Sequence, residues 1–468
     1  MSSMLKPSSC QGCPFYTYGS RFTPDTMIPN SEVLFIAQNP GPDEELGHRL
    51  IKRHWLGQGQ HHDEYEDVLP QPLIGATGQL FDKRFLPLSG LKRSEVSTAN
   101  AIRCRPGFAL GLTADSLPPL TNKMKLETSD AAIVRALKHC ASAHLHIPTS
   151  VKLIVTMGQY GLYQQTGISN VQDWRGYGFG LSPGFVRETI DTSSYHNLAY
   201  EPKLFVTMHI AALFKGENKR YMHAVLQDFH KIRLILRGIW PVPLPTWSNQ
   251  SPKEWPSYGT FDTEYNMNNN DELIRWSLCD TNNNLYCVES SDTPSAGIPI
   301  KANSTVVIQN ALADIAHLSR IVDISSVKLE DMMLAHSVLW TGEPHSLNYI
   351  ASVYGAFNRY KHLSSNQPQL YSALDAYEPM HIWKTHCLPE FRNDPLSWAI
   401  YKKYRLPLID IINKAQLSGV KINSSRLRQV KEILESNLEK IRERARVITG
   451  NNKFNIGGSK QLKEILYD

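Results

Sequence analysis

The chain has 468 residues, of which 41% are hydrophobic and 20% charged, with a formal net charge of +5. That is the profile of a globular protein of about three domains, with a mild pull toward nucleic acid. No apolar run approaches membrane-spanning length, and Met1–Ser9 lacks the hydrophobic stretch of a signal peptide, so a membrane or secreted protein is not expected and a cytoplasmic one is. Seven cysteines in that setting are not expected to form a disulfide framework.

In chain order, Cys10-x-x-Cys13 opens the sequence, and with Cys104 and Cys140 it makes a possible four-thiolate set. Four such thiolates can hold a [4Fe–4S] cluster or a structural Zn²⁺, and spacing does not choose between them. Val33–Ala37 and Leu153–Met157 read as short buried strands leading into glycine-bearing turns, 131–144 as a helix and 204–208 as another apolar strand. This is an α/β pattern over residues 1–238. His54, His61 and His62 fall in a polar, loop-like stretch and are expected to be solvated. Residues 239–256 carry five prolines and read as a semi-rigid extended joint, with Trp240, Trp247 and Trp255 packing on a domain face. Downstream, 257–395 is again mixed α/β, with Asn-rich turns at 267–270 and 282–284, and Cys279, Cys287 and Cys387 as ordinary buried thiols. The final part, 396–468, is helical in pattern and basic, with 15 Lys and Arg against 7 Asp and Glu, which suits tracking of phosphates.

Three acidic patches in 257–395 carry chemistry. Asp262 and Glu264 end the stretch Gly259–Glu264, which reads as a strand, so both point to one side. Thr305–Asp314 runs from a buried strand into a turn holding Asn310 and Asp314. Tyr371 and Asp375 lie four apart, on one face of a helix. Carboxylates from several elements are what phosphodiester hydrolysis with two Mg²⁺ or Mn²⁺ ions, roughly 3.5–4 Å apart, requires.

These patches resemble, in order, the three motifs of the 3′→5′ proofreading exonuclease domain of family A DNA polymerases. That resemblance implies a ribonuclease H-like fold with the first ion on Asp262, Glu264 and Asp375. It gives Asp262 a share of the second ion, and Asp314 acts through the water shell. Glu264 and Tyr371 would orient the attacking water, and Asn310 would contact substrate. Asp331–Ser337 and His345–Leu347 resemble the connecting helices of the same family. Leu408–Asn423 and Phe454–Leu462 resemble the opening, thumb-like segment of a family A polymerase, so 396–468 is expected to be an α-helical thumb fragment. The palm and fingers are not in this sequence, so polymerisation is not expected from this chain alone. A truncated product and one half of a split polymerase, with the palm and fingers on a partner chain, both remain open. The whole arrangement resembles the replicative polymerases of some large tailed phages.

Residues 1–238 resemble the family 4, iron–sulfur class of uracil-DNA glycosylases, through Val33–Gly41, Pro72–Leu80, Asn100–Pro106, Val155–Gly158 and Val206–His209, with an apparent insertion at 107–128. The resemblance implies a three-layer α/β/α fold and favours an iron–sulfur cluster on Cys10, Cys13, Cys104 and Cys140, with Zn²⁺ as the alternative. Gln38–Gly41 would hold the water and the base, Asn100 would read the uracil edge, and His209 would donate to its carbonyl oxygen. The chain departs from the family at Gln38, where an acid is usual, and at Leu73, where an aromatic stacks on the base. Ile210 stands where Pro follows the histidine. Asn39 occupies the place of a water-positioning amide in mismatch-specific glycosylases. Uracil excision and a non-catalytic DNA-binding module therefore both stand as readings of this region. The partner is DNA, as single-stranded 3′ ends or primer–template.

Overall fold

The computed structural model describes residues 6–17, 19–57, 60–105, 129–180, 203–214, 216–266, 272–295 and 297–467. The insertion expected at 107–128 and the turn expected at 267–270 lie outside the described residues.

The first sheet is built on Val33–Ala37 (β1), buried at all five positions. Val33, Phe35 and Ala37 enter one core with Phe81, Phe85 and Phe229, while Leu34 and Ile36 enter another with Ile133, Leu137 and Tyr160. Side chains alternate along a strand, so a strand apolar throughout must be covered on both faces. The chain continues through α1 (Pro42–Leu46), β2 (His48–Gly57), β3 (Gln60–Asp67), α2 (Ala76–Leu80), β4 (Val96–Asn100) and α3 (Ser129–His144). Then follow β5 (Leu153–Met157), α4 (Gln159–Thr166), α5 (Val171–Trp174), β6 (Gly178–Gly180), β7 (Lys203–Thr207) and α6 (Met222–Leu236). The sheet runs β4-β1-β5-β7-β6, parallel except for β6. Helices lie on both of its faces, which gives the expected three layers.

The second sheet contains β8 (Tyr258–Asn266), β9 (Glu272–Asp280), β10 (Leu285–Glu289), β11 (Thr305–Ile308) and β12 (Lys328–Asp331), in the order β10-β9-β8-β11-β12. Its first three strands are an antiparallel meander, and β11 and β12 run parallel to β8. The helices are α7 (Ala311–Ile321), α8 (Met332–Leu339), α9 (Leu347–Tyr354), α10 (Leu363–Asn366), α11 (Pro368–Ile382), α12 (Leu388–Asn393) and α13 (Pro395–Ile400). Two bonds fix α11 on the sheet: Thr260 Oγ1 to the Ala376 carbonyl at 2.6 Å, and Ser277 Oγ to Ser372 Oγ at 2.7 Å.

Four expectations change. Residues 239–256 are more than a semi-rigid joint: Trp240 and Trp255 are buried, as expected of them, and the Val242 N–H donates to Ala356 O at 2.9 Å. A chain studded with large aromatics buries them rather than standing off as a rod. Secondly, the boundary at 395/396 moves. Tyr401 stacks on Phe391 and Trp398 meets it edge-on, and one compact unit runs from Met1 to Leu406. Thirdly, His54, His61 and His62 sit on the hairpin β2–β3 rather than in a loop, with His54 Nε2 at 2.7 Å from Glu64. Cross-strand ion pairs such as Arg53–Asp63 hold this hairpin, so it shows little of the apolar alternation that marks a strand. Fourthly, Asp314 lies in the first turn of α7 rather than in a turn after β11.

The remaining chain, Pro407–Asp468, is a second compact unit of α14 (Leu408–Ser418), α15 (Ser424–Thr449) and α16 (Ser459–Tyr467). The Asn423 side chain caps α15 through Arg426 N at 3.0 Å, and Gly450 ends it in the left-handed region. Among the described residues no helix is long and apolar enough to cross a membrane.

In the first unit the two sheets share one core, in which Phe229 and Trp240 join Val307, Ile350 and Trp383. A buried polar knot sits at the seam. Arg175 Nη1 donates to Asp228 Oδ1 at 2.7 Å and Nη2 to Ser352, while Lys231 Nζ donates to Gly176 O at 3.1 Å and Ser352 O at 3.0 Å. Removing one partner strands a buried charge, so Asp228→Ala should cost about 3–5 kcal/mol in denaturant unfolding. Because the core is continuous, the loss should fall on both sheets in one transition, and two separated transitions would contradict a shared core.

Candidate functional site

Asp262 and Glu264 alternate along β8 and present their carboxylates on one side, and α11 brings Asp375 beside them. One ligand oxygen from each lies within 4.8 Å of the other two, and among the described residues this is the only such group of three. Asp314 is close enough to raise Asp262 but stands outside the trio, its carboxylate held by the Thr263 hydroxyl. Asn310 takes a left-handed backbone (φ 67°) that a short polar residue tolerates, and Asp331 Oδ2 accepts from the next amide, Ala311, at 2.8 Å.

Burial, then repulsion from Asp375, Asp314 and Glu264, pushes the Asp262 carboxyl well above its ordinary range. Burial pushes Asp314 up to about 7. Asp375 is half-compensated: Tyr360 Oη donates to its Oδ1 at 2.7 Å, and Lys361 Nζ lies 3.9 Å from its Oδ2. Lys361 also donates to Tyr371 Oη at 2.8 Å. The Tyr371 phenol is raised far above its normal value, chiefly by burial, so it stays neutral. Crowded carboxylates that repel one another are a fitting cradle for hard divalent cations, since a cation removes the repulsion and each oxygen is a ligand.

The second constellation lies at the carboxyl edge of the parallel sheet. Gln38–Gly41 follow β1, Asn100 ends β4 opposite Ala37, Gly158 follows β5 and His209 follows β7. Strand direction puts all four at one edge, where connections leave β1 and β5 in opposite directions, the place where α/β sheets bind ligands. Gly158 (φ 90°) lets His209 approach, since a Cβ there would lie 3.1 Å from the His209 Cβ. The Asn100 amide is buried, and neither of its polar atoms has a hydrogen-bond partner at ordinary distance. Asn39 Nδ2 donates to Pro40 O at 3.0 Å. Leu73 is buried in the core with φ 57°, and its N–H donates to Glu44 Oε1 at 2.9 Å.

Glu44 was not among the residues expected from sequence. It is buried on α1 and accepts from Leu73 and Gly41. Burial raises it to about 7, against the pull of those two amides and of the nearby Asn100 side chain. The signal that could have found it is an acid three residues after Gly41 at the start of a helix, placed for its side chain to return to the Gly41 N–H. Tyr360 and Lys361 were missed as well.

Cys10, Cys104 and Cys140 are buried, Cys13 is partly so, and all four are free thiols close enough to influence one another. Burial, then the neighbouring Cys140 and Cys13 thiols, pushes the Cys10 thiol up to about 11. No three of these sulfurs come within 4.8 Å of one another. A tetrahedral Zn²⁺ with bonds of about 2.3 Å would need sulfurs roughly 3.8 Å apart. His144 Nε2 lies 3.2 Å from the Cys10 sulfur.

Residues 24–230 match the uracil DNA glycosylase superfamily. The type-4 uracil-DNA glycosylase of Sulfurisphaera tokodaii is 26% identical over 98 residues, 21% of this chain and 34% of that protein. The chain thus spans about a third of the length of this curated relative. Brucella melitensis NrnC with bound Mg²⁺ covers 38% of this chain and 96% of its own at 17% identity and TM-score 0.30. Escherichia coli RNase D, an exoribonuclease, covers 34% and 45% at 13% identity and TM-score 0.26. Structural likenesses at these scores carry no weight for the site or its chemistry.

The Asn100 amide has no partner at ordinary hydrogen-bond distance, though it pulls on Glu44, so Asn100→Ala should cost no more than about 1–3 kcal/mol in thermal or denaturant unfolding. A loss above about 3 kcal/mol would show that the amide is structural and not held ready for a ligand.

Proposed function

We propose that this protein processes DNA with two sites: a metal-dependent 3′→5′ exonuclease on the second sheet and a uracil-DNA glycosylase-like site on the first. The observation that carries the nuclease reading is the convergence of Asp262, Glu264 and Asp375 from β8 and α11, with Tyr371 one turn before Asp375. Asp262, Glu264 and Asp375 would hold Mg²⁺ or Mn²⁺, which supplies Lewis acidity and an activated water when bound. Asp314 tunes Asp262 from behind, and Tyr371, as a neutral phenol, orients the attacking water on the 3′-terminal phosphate. Purified protein with Mg²⁺ should shorten a single-stranded 3′ end, and Asp262→Ala should reduce the rate by at least about 100-fold. Unchanged shortening by that variant would overturn the assignment.

In the first site Asn100 reads the base edge, His209 faces its carbonyl, and Asn39 orients water, while Glu44 supplies the acid that Gln38 lacks. Because excision would use the Glu44 carboxylate, its rate should rise with pH through about 7, and Glu44→Gln should flatten that profile. A uracil oligonucleotide left intact by the wild type would favour a non-catalytic DNA-binding module instead. The four-cysteine set is proposed to hold a [4Fe–4S] cluster, with Zn²⁺ the alternative.

One observation favours a polymerase setting. Helix α15 has no buried residue, and Leu427, Ile433, Leu434, Ile441 and Ile448 are exposed along it. A basic helical unit with apolar residues exposed along its longest helix suits a polymerase thumb-like segment.

A further inference from the structure

Lys361 is the one ammonium group described at the Asp262, Glu264 and Asp375 carboxylates, and the hydrolysis proposed above gives it no role. Its Nζ lies 3.9 Å from Asp375 Oδ2, 2.8 Å from Tyr371 Oη and 5.0 Å from the centre of the Tyr371 ring. Its charge lowers the carboxyls of Asp262, Glu264 and Asp375 alike, against the burial that raises them. It is about a third exposed, so it can move.

The loop that carries it is fixed on both sides. Ala356 and Phe357 N–H groups each donate to Glu378 at 3.0 Å, one turn beyond Asp375 on α11. Asn358 Oδ1 accepts from Gly178 N at 3.0 Å, and Arg359 stacks on the Trp174 ring at 4.5 Å. Tyr360, buried, donates to Asp375 Oδ1. Lys361 therefore arrives beside Asp375 by construction of the loop, and a surface lysine with free rotamers would not hold two partners of one site.

On the reading that these carboxylates hold divalent ions, we infer that Lys361 is a positioning residue, the resident counter-ion of the cluster. Without a divalent ion its ammonium spans Asp375 and Tyr371 and makes the buried carboxylates tolerable to the fold. A divalent ion competes with it for Asp375 Oδ2, and the displaced ammonium swings out along its exposed stem. Tyr360, which has no charge to lose, keeps Asp375 in place through the exchange.

Mn²⁺ titration by calorimetry and thermal unfolding of the full chain, each with and without Mn²⁺, test this. Lys361→Met should bind Mn²⁺ about five-fold more tightly than wild type, the scale of one partly exposed ion pair, while Lys361→Arg should bind as wild type does. Metal-free Lys361→Met should unfold at a lower temperature than wild type, and Mn²⁺ should close that gap. Equal Mn²⁺ affinity in Lys361→Met and wild type would overturn the inference, as would a stability loss that Mn²⁺ does not repair, which marks a purely structural lysine. Failure of the nuclease reading looks different: wild type and Asp262→Ala would then titrate alike.

Discussion

Crowded, partly buried like charges set the terms for the second half of this protein. Asp262, Glu264 and Asp375 gather within 4.8 Å, with Asp314 behind them. Burial drives all these carboxyls upward, and repulsion between carboxylates adds to it at Asp262, Glu264 and Asp314. Such a group is unfavourable to a fold unless something answers the charge. The surroundings do so piecemeal: Thr263 on Asp314, Tyr360 on one oxygen of Asp375, and Lys361 near the other. None of these saturates the cluster, and the remaining deficit is what a divalent ion would supply.

The same carboxylates sit on a scaffold that cannot drift far. Thr260 and Ser277 tie α11 to the sheet beneath it, and Glu378 on the same helix receives the loop that carries Tyr360 and Lys361. That loop also reaches the first sheet through Asn358 and Arg359. With the Arg175–Asp228 pair and the shared apolar core, this makes residues up to Leu406 one compact unit. The two candidate sites therefore sit on one compact unit.

Much of this was legible in the sequence where the chemistry is local. Period two on a strand joins Asp262 to Glu264, and four residues on a helix join Tyr371 to Asp375; both relations survive folding because they are properties of one element. The all-apolar β1 and β5 announce a sheet covered on both faces. Relations between elements were not legible. Lys361 meets Asp375 only because a loop after α9 folds back on α11, and Glu44 meets Leu73 across the hairpin β2–β3. The hairpin itself was hidden because charge pairs rather than apolar alternation hold it. In the proline-rich segment the packing expected of the tryptophans holds at Trp240 and Trp255, which are buried, while Leu244 between them is exposed.

The nuclease reading stands or falls on whether Asp262, Glu264 and Asp375 form a divalent-metal centre. Anomalous diffraction from crystals of the protein soaked in Mn²⁺ tests it most directly. The expected result is a peak touching all three carboxylates, with a second roughly 3.5–4 Å away on Asp262. An empty cluster at saturating Mn²⁺, with the Lys361 ammonium still seated against Asp375, would contradict it.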